Sequence, residues 1–343
     1  MRLQQNQFKH IAIIGAGSFG TAMARSLSST GHKVSIWARE PEIVASINTQ
    51  HRNINYLSDI QLPLNVKAFI SIEETIKEAD LIVLAVPSHV FRSVCVQIKP
   101  FLLERQYIVS LTKGIENDTY LTMSQVVADV TESVFPDEHI GVLSGPSHAE
   151  EIAKDMPTTA VASAYSKKAG IIIQEVFHSP TLRIYLNQDI VGVEVGGAVK
   201  NIMAIASGII EGAEMGDNAK AALITRGLHE MKRLGMRLGA FQETFSGLTG
   251  IGDLVVTCCS SHSRNRSVGY RIGKGEKLDQ IIASTNMVAE GVKTTKSVHG
   301  LAKLKGVEMP ITDAVYAILF ENMEPEKALT QLMTRLPKDE ILI

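Results

Sequence analysis

The sequence has few cysteines. Only Cys95, Cys258 and Cys259 occur among 343 residues, too few for a disulfide scaffold, and none stands at metal-ligand spacing from a histidine. The adjacent pair Cys258–Cys259 could act as a thiol switch, but two half-buried, reduced cysteines fit the sequence better. We therefore expect a reduced protein without a metal site.

The chain also has almost no net charge. Its 34 Lys and Arg residues oppose 36 Asp and Glu residues, which leaves a formal net charge of −2. A dedicated nucleic-acid-binding protein usually carries a basic excess, so this balance argues against a nucleic acid as partner. With 45% hydrophobic and 20% charged residues, the composition is that of a folded protein and not of a disordered chain.

Long apolar runs are the third feature that the sequence lacks. No stretch approaches the roughly 18–20 uninterrupted apolar residues that span a bilayer. The first ten residues, MRLQQNQFKH, are polar and lack the apolar core of a signal peptide. We therefore expect a cytoplasmic protein without membrane insertion. A length of 343 residues predicts two domains, at about 100–200 residues per domain.

A glycine-rich turn between a predicted strand and a predicted helix is the first positive signal. The segment KHIAIIGAGSFG leads from an apolar stretch into Gly15, Gly17 and Gly20, and a second predicted strand, HKVSIWAR, follows the helix. In a dinucleotide site the first glycine makes the tight turn and the second lets a pyrophosphate approach the backbone. The third lets helix and strand pack closely. The context favours dinucleotide binding over a purely structural turn.

The end of the second strand bears on which dinucleotide binds. An acidic residue there usually holds the ribose hydroxyls of NAD, whereas an arginine accommodates the 2′-phosphate of NADP. The sequence reads Trp37-Ala38-Arg39-Glu40, so Arg39 favours NADP or tolerance of both forms, and Glu40 keeps NAD open. The alternative is that Arg39 is a solvated surface residue.

Polar residues follow three further predicted strands, whose carboxyl ends should meet at one crevice in an open α/β sheet. These residues are Pro87-Ser88-His89, Thr112-Lys113-Gly114 and Gly145-Pro146-Ser147-His148. Lys113 stands out because it comes directly after an apolar strand, although a solvated loop lysine fits the same pattern. His89 and His148 are weak signals, since a lone loop histidine is more often structural.

Beyond about residue 190 the pattern becomes helical. The segment EVGGAVKNIMAIASGIIEGAE is an apolar helix in which Gly196-Gly197 allow close packing and Lys200 is the one cation. A lysine in such a helix either extends its amine to solvent or meets a carboxylate. Because burial lowers the pKa of a lysine, Lys200 is a candidate proton donor or acceptor.

Two later segments suggest a binding loop. Gly247, Gly250 and Gly252 form a predicted flexible turn before Asp253, and the polar run Ser260–Ser267 contains two arginines. Arginine presents a planar fork of donors to phosphate oxygens. This run is therefore either a phosphate clamp or, equally, a solvated loop.

Eight sequence blocks together resemble the bacterial-type glycerol-3-phosphate dehydrogenase family. They are GAGSFGTA (15–22), AVPSH (85–89), SLTKGIE (110–116), LSGPSHAEE (143–151), VEVGGAVKNI (193–202), GLTGIGDLVVTC (247–258), SRNR (263–266) and VAEGVKT (288–294). The blocks occur in order along the whole chain, so the resemblance is specific.

The resemblance implies an α/β fold with a Rossmann-like NAD(P)-binding domain at residues 1–190 and an all-helical substrate domain at residues 191–343. It also implies the reversible reduction of dihydroxyacetone phosphate to sn-glycerol 3-phosphate with NADH or NADPH. The product would supply phospholipid synthesis, and the enzyme would be a homodimer.

The resemblance further implies roles for individual residues. Lys200 would transfer the proton, Lys113 would be a second active-site cation, and Asp253 would hold the lysines. Substrate contacts are implied for Lys113, Gly145, Ser147, Lys200, Asp253, Ser263, Arg264 and Asn265. Cofactor contacts are implied for Gly15, Gly17, Ser18, Phe19, Gly20, Arg39, Lys113, Ala149, Arg264, Val288 and Glu290. Phe19 and Ser147 depart mildly from the common family pattern.

Two other functions remain open at the level of sequence. A related β-hydroxyacid dehydrogenase would share the nucleotide-binding half and a helical lysine, but its carboxylate substrate gives no reason for the SHSRNRS segment. A non-catalytic NADP sensor would need the glycine turn and Arg39. It would not need Lys113, Lys200 and Asp253 together.

Overall fold

One sheet dominates the first half of the chain. The computed structural model describes residues 8–132, 134–284, 289–337 and 339–340, and in this part of the chain eight strands follow the order β3-β2-β1-β4-β5-β6-β7-β8. They are β1 (His10–Ile14), β2 (Lys33–Trp37), β3 (Val66–Phe69), β4 (Leu81–Leu84), β5 (Tyr107–Ser110), β6 (Ile140–Ser144), β7 (Thr158–Ala164) and β8 (Leu182–Leu186).

The strand directions place a crevice at one edge of this sheet. Strands β1 to β6 are parallel, whereas β7 runs antiparallel to β6 and β8 runs parallel to β7. The chain order reverses between β1 and β4, and ligands bind at such a switch point, outside the carboxyl ends of the strands. The predicted α/β class is confirmed, although β3 was not among the predicted strands.

Helices cover both faces of the sheet. They are α1 (Ser18–Ser29), α2 (Pro41–Gln50), α3 (Ile72–Ile76), α4 (Ser88–Ile98), α5 (Met123–Thr131), α6 (Ala149–Ala153) and α7 (Lys167–Phe177). Buried aliphatic side chains lie on each face. One cluster includes Ile11, Ile13 and Val83, and another includes Ala12, Ile14 and Ile82. Strands covered on both faces form continuous apolar runs of the kind seen at Ile11 to Ile14.

After the last strand the described residues form helices only. They are α8 (Ile190–Gly212), α9 (Asp217–Arg237), α10 (Asp253–Cys259), α11 (Arg264–Gly273), α12 (Leu278–Ala283), α13 (Glu290–Lys305), α14 (Pro310–Phe320) and α15 (Pro325–Met333). By length and composition α8 could cross a membrane, but 94% of its most apolar window is buried inside the protein. Glu194 and Lys200 also interrupt its apolar sequence, so α8 is the core helix of this half.

Glycines let neighbouring segments approach α8 closely. A Cβ atom on Gly208 would lie 2.0 Å from the carbonyl oxygen of Arg266, and one on Gly269 would lie 2.0 Å from that of Ile205. A Cβ atom on Gly196 would lie 2.3 Å from the carbonyl oxygen of Thr249. Larger residues at these positions would push the helices apart, as expected for the close packing predicted from Gly196-Gly197.

Two local predictions were wrong, and one open alternative is resolved only in part. Leu248–Gly252 is not a flexible turn but a single π-helical turn that continues into α10. The run Ser260–Ser267, for which a phosphate clamp and a solvated loop were both open, is a loop only as far as Ser263. The side chain of Ser263 accepts a hydrogen bond from the backbone N–H of Arg266 and so caps the start of α11. The cysteine pair is not half-buried, since Cys258 is buried and Cys259 is exposed.

Candidate active site

Two lysine ammonium groups share one buried carboxylate at the carboxyl edge of the sheet. Lys200 on α8 donates to Oδ1 of Asp253 at 2.6 Å, and Lys113 after β5 donates to Oδ2 at 2.8 Å. The Asp253 side chain is 0% exposed, compared with 8% for Lys200 and 16% for Lys113. The structure thus brings together three of the predicted site residues.

Each lysine makes one further hydrogen bond. Lys200 donates to Oγ1 of Thr257 at 2.6 Å, and Lys113 donates to the carbonyl oxygen of Gly145 at 2.9 Å. An ammonium group has three N–H donors, so each lysine retains one donor for a bound ligand. Thr257 was not predicted. It follows Asp253 by one helical turn, and that spacing was the available signal.

The charges of this cluster prepare Lys200 for proton exchange. Burial lowers the pKa of Lys200 to about 8, a shift that the Asp253 charge opposes and the Lys113 charge reinforces. Burial alone would raise the pKa of Asp253, but the charges and hydrogen bonds of the two lysines outweigh it and the pKa is lowered. Asp253 therefore stays anionic, while Lys200 can gain or lose a proton near neutral pH.

The small residue one turn before Lys200 makes room for the cluster. A Cβ atom on Gly197 would lie 2.7 Å from Oγ of Ser144 and 3.5 Å from Cγ of Lys113. Because the first distance is too short for ordinary packing, a larger residue here would require the Ser144 side chain or α8 to move. The glycine therefore lets α8 pack closely against Ser144 and Lys113.

The glycine turn after β1 has the geometry of a phosphate cradle. Gly15 has a φ of +117°, and a Cβ atom on Gly20 would lie 1.9 Å from the carbonyl oxygen of Gly15. A Cβ atom on Gly17 would meet nothing within 4 Å. The first turn of α1 contains no acidic residue, so an anion can approach its backbone N–H groups. These residues fit a dinucleotide pyrophosphate.

Predicted cofactor-lining residues from both halves of the chain meet at this crevice. Arg264 at the start of α11 donates to Oγ of Ser18 at 3.0 Å. The carboxylate of Glu290 accepts hydrogen bonds from the backbone N–H of Ser88, at 3.1 Å, and from its hydroxyl group. Burial raises the pKa of Glu290, although the hydrogen bonds from Ser88 act to lower it.

Several predicted substrate residues already have partners within the protein. Ser147 donates to the carbonyl oxygen of Gly145 at 3.1 Å. Asn265 donates to Oδ1 of Asn201 at 2.9 Å and accepts from the backbone N–H of Gly291 at 2.9 Å. Asn201, next to Lys200, is a second residue that was not predicted.

The remaining predicted residues are more scattered. Phe19 packs against the core cluster beside the glycine turn, and Ala149 is buried at the start of α6. The side chain of Arg39 is 82% exposed and pairs with Glu40 at 2.8 Å. Val288 lies outside the described residues.

Two family models and relatives at about 50% identity indicate the same family. The family model for the N-terminus of NAD-dependent glycerol-3-phosphate dehydrogenase matches residues 10–170, and the model for its C-terminus matches residues 189–330. A protein named glycerol-3-phosphate dehydrogenase [NAD(P)+] 1 from Salinibacter ruber is 51% identical over 330 residues, 96% of each chain. The protein named glycerol-3-phosphate dehydrogenase [NAD(P)+] from Chlorobium limicola is 49% identical and covers 97% of this chain and 99% of its own.

A solved structure gives the same result. The glycerol-3-phosphate dehydrogenase from Coxiella burnetii superposes with a TM-score of 0.91 at 38% identity, over 96% of this chain and 99% of the other. The chain thus matches such proteins in sequence and in fold along nearly its whole length.

The glycine turn yields a matched pair of variants. Gly20→Ala places its Cβ against the Gly15 carbonyl oxygen, so we expect a loss of about 1–3 kcal/mol or more in the free energy of unfolding. Gly17→Ala meets no atom within 4 Å, so it should keep the parental melting temperature and weaken NADPH binding about tenfold or more, because its methyl group faces the expected pyrophosphate. Thermal denaturation and fluorescence titration with NADPH measure both effects. Parental stability of Gly20→Ala, or parental affinity of Gly17→Ala, would contradict this assignment.

Proposed function

We propose that this chain, a member of the NAD-dependent glycerol-3-phosphate dehydrogenase family, has the activity of that family. It catalyses the reversible reduction of dihydroxyacetone phosphate to sn-glycerol 3-phosphate with NADH or NADPH. The observation that carries the proposal is the cluster of Lys113, Asp253 and Lys200, in which one buried carboxylate holds two ammonium groups. A sensor that only binds the dinucleotide has no need of this cluster.

Lys200 is proposed as the proton donor. When bound, the nicotinamide cofactor supplies the hydride to the ketone carbon. Negative charge then develops on the ketone oxygen, and the free N–H of Lys200 stabilises this oxygen and transfers a proton to it. In the reverse direction the neutral amine of Lys200 accepts the proton of the secondary hydroxyl group.

Asp253 is proposed as a positioning residue that does not contact the substrate. Both of its carboxylate oxygens accept from lysines, and the side chain is 0% exposed. Its negative charge keeps the pKa of Lys200 from falling further, so it tunes proton transfer through the lysine. This role replaces the substrate contact that the family resemblance implies.

The substrate phosphate is proposed to bind at the start of α11. Arg264 supplies a planar fork of donors, and Lys113 has one N–H beyond its hydrogen bonds to Gly145 and Asp253. Ser263 and Asn265 hold this helix start, through the cap of α11 and the bonds to Asn201 and Gly291. Binding the phosphate there positions the carbonyl group.

Several broader features are also proposals. We place the domain division at residue 190, which is supported by the end of the sheet at Leu186 and the start of α8 at Ile190. The homodimer and the supply of phospholipid synthesis are proposed on the family resemblance alone, and the cytoplasmic location remains the expectation from the sequence. Light scattering tests the dimer, and a solution mass of one chain would contradict it.

The activity is tested by following NADPH absorbance. We expect oxidation with dihydroxyacetone phosphate and none with a panel of 2-oxo and 3-oxo acids. Lys200→Ala should lower kcat by about 10²–10⁴-fold and leave NADPH affinity within about threefold, whereas Lys168→Ala, at an exposed lysine on α7, should match the parent. NADPH oxidation with the acids would support the related β-hydroxyacid dehydrogenase function. If neither dihydroxyacetone phosphate nor the acids cause oxidation, the result supports a sensor. Near-parental activity of Lys200→Ala would contradict its role as the proton donor.

The pH dependence tests the role of Asp253. Reduction needs the ammonium form of Lys200, so its rate should fall as the pH rises through about 8, the pKa of this lysine. Asp253→Asn removes the charge that raises this pKa, so the fall in kcat/KM should move to lower pH. Thr257→Val removes a hydrogen bond to Lys200 but no charge, so it should shift the pH of this fall less than Asp253→Asn does. An unchanged midpoint in Asp253→Asn would contradict the positioning role.

Arg39 is proposed to contact the 2′-phosphate of NADPH. A charged hydrogen bond contributes about 1.5–3 kcal/mol, so Arg39→Ala should lower the ratio of kcat/KM for NADPH over NADH about tenfold or more. Arg105→Ala, at a surface arginine paired with Asp80, is the matched control. An unaltered ratio in Arg39→Ala would show that Arg39 is only a surface residue.

A further inference from the structure

One asparagine outside the glycine turn after β1 holds that turn in place. The side-chain amide of Asn53 donates to the carbonyl oxygen of Ala16 at 2.8 Å and to Oγ1 of Thr21 at 2.9 Å. Thr21 in turn donates to the same carbonyl oxygen at 3.3 Å. Asn53 is 0% exposed and lies 37 residues from Ala16 along the chain. A fully buried amide thus ties the segment after α2 to the middle of the GAGSFG turn.

The other end of the Asn53 amide is fixed as well. Its oxygen accepts hydrogen bonds from the backbone N–H of Asn55 at 3.3 Å and of Tyr56 at 3.1 Å. Tyr56 and Leu57 pack against a hydrophobic core cluster of the sheet. Because both the oxygen and the nitrogen of the amide are hydrogen-bonded, the side chain cannot turn, and Asn53 is a rigid support for the glycine turn.

This support fixes the direction of one backbone donor. In a trans peptide unit the carbonyl and N–H groups point in opposite directions. Because the Ala16 carbonyl points to the buried Asn53, the N–H of Gly17 in the same peptide unit points away from Asn53. This N–H donates to none of the described residues, and a Cβ atom on Gly17 would meet nothing within 4 Å. An unpaired N–H directly before a helix is available to an anion.

The Ala16–Gly17 peptide unit depends on side chains for its orientation. On one side of it, the N–H of Gly15 donates to the carbonyl oxygen of Trp37 on β2 at 3.2 Å. On the other side, α1 begins at Ser18. Regular structure therefore holds both neighbours, whereas the Ala16 carbonyl between them is held by Asn53 and Thr21.

We propose that Asn53 is a positioning residue for the dinucleotide, because it holds the Ala16–Gly17 peptide unit with its N–H directed at the pyrophosphate. Asn53 itself does not contact the cofactor. This inference rests on the proposed function, since it assumes that the turn binds NADH or NADPH. Without the amide the peptide unit is free to rotate and the donor is no longer preorganised, so the dinucleotide binds more weakly while proton transfer by Lys200 is unaffected.

The test measures the dissociation constants of NADPH and NADH by fluorescence titration. Asn53→Ala should weaken binding of the preferred dinucleotide by about 5- to 10-fold, the effect of one hydrogen bond. The KM for this dinucleotide should rise in parallel, and kcat at saturation should stay within about twofold of the parent. A variant that merely damages the fold would lower kcat as well.

Gln106→Ala is the matched control. Gln106 is also 0% exposed, and its amide donates to the backbone carbonyls of Ile76 at 2.9 Å and Ala79 at 3.0 Å. These bonds lie before β4 and β5, at the amino ends of the strands, away from the glycine turn. This control should lose stability and keep the parental affinity for the dinucleotide.

A double-mutant cycle with Gly17→Ala shows whether Asn53 acts through the turn. The methyl group of Gly17→Ala already keeps the pyrophosphate from the turn, so the double variant should bind the dinucleotide within about threefold of Gly17→Ala alone. Independent effects would instead multiply.

Three results would overturn the assignment: parental affinity of Asn53→Ala, an equal loss of affinity in Gln106→Ala, or multiplied effects in the double variant. If Asn53→Ala lacks the parental circular dichroism spectrum, Asn53→Ser takes its place. Serine keeps an acceptor for the backbone N–H of Asn55 but is too short to hold Ala16. A parent that binds neither dinucleotide would contradict the proposed function itself.

Discussion

One buried carboxylate between two ammonium groups is the interaction on which the site depends. Removing three charges from water is costly and is offset only when each charge finds well-placed partners. Asp253 meets this condition with a lysine on each oxygen, and Thr257 and Gly145 complete the bonding of the lysines. The end of β5, the middle of α8 and the start of α10 must therefore come together. This arrangement leaves one N–H on each lysine free.

The backbone around the cluster is shaped to allow that approach. Glycines on α8 remove the Cβ atoms that would collide with the π-helical turn and with Ser144, at 2.3 Å for Gly196 and 2.7 Å for Gly197. The dinucleotide turn also depends on a missing Cβ atom, because Gly20 packs directly against Gly15. The near-zero net charge of the chain does not extend to this site, because two lysines here share a single carboxylate. The two arginines of SRNR also differ in task, since Arg264 reaches Ser18 whereas Arg266 pairs with Glu211.

Structure that depends on neighbouring residues could be predicted from the sequence, whereas contacts between distant residues could not. The strand, glycine turn and helix at residues 10–29 follow from apolar continuity and from glycine spacing, which act between neighbours. Lys200 could be singled out as a cation in an apolar helix, but its partner lies 53 residues away, and only the family resemblance connected the two. The prediction of a flexible turn at Gly247–Gly252 was wrong, because it took the glycines as a sign of a flexible backbone. Here the missing side chain serves packing, since a Cβ on Gly250 would lie 1.9 Å from the carbonyl oxygen of Phe245. The polar composition of SHSRNRS likewise hid a capped helix start.

The pKa of Lys200 tests this account most directly. Lysine labelled with ¹³C at Cε and ¹⁵N at Nζ reports the protonation of each amine by NMR, and the Lys200→Arg variant assigns its signal. We expect a titration midpoint of about 8 for Lys200, because burial beside a second ammonium group opposes its charge and Asp253 offsets only part of that effect. A midpoint near 10.5, the ordinary value for lysine, would contradict the account.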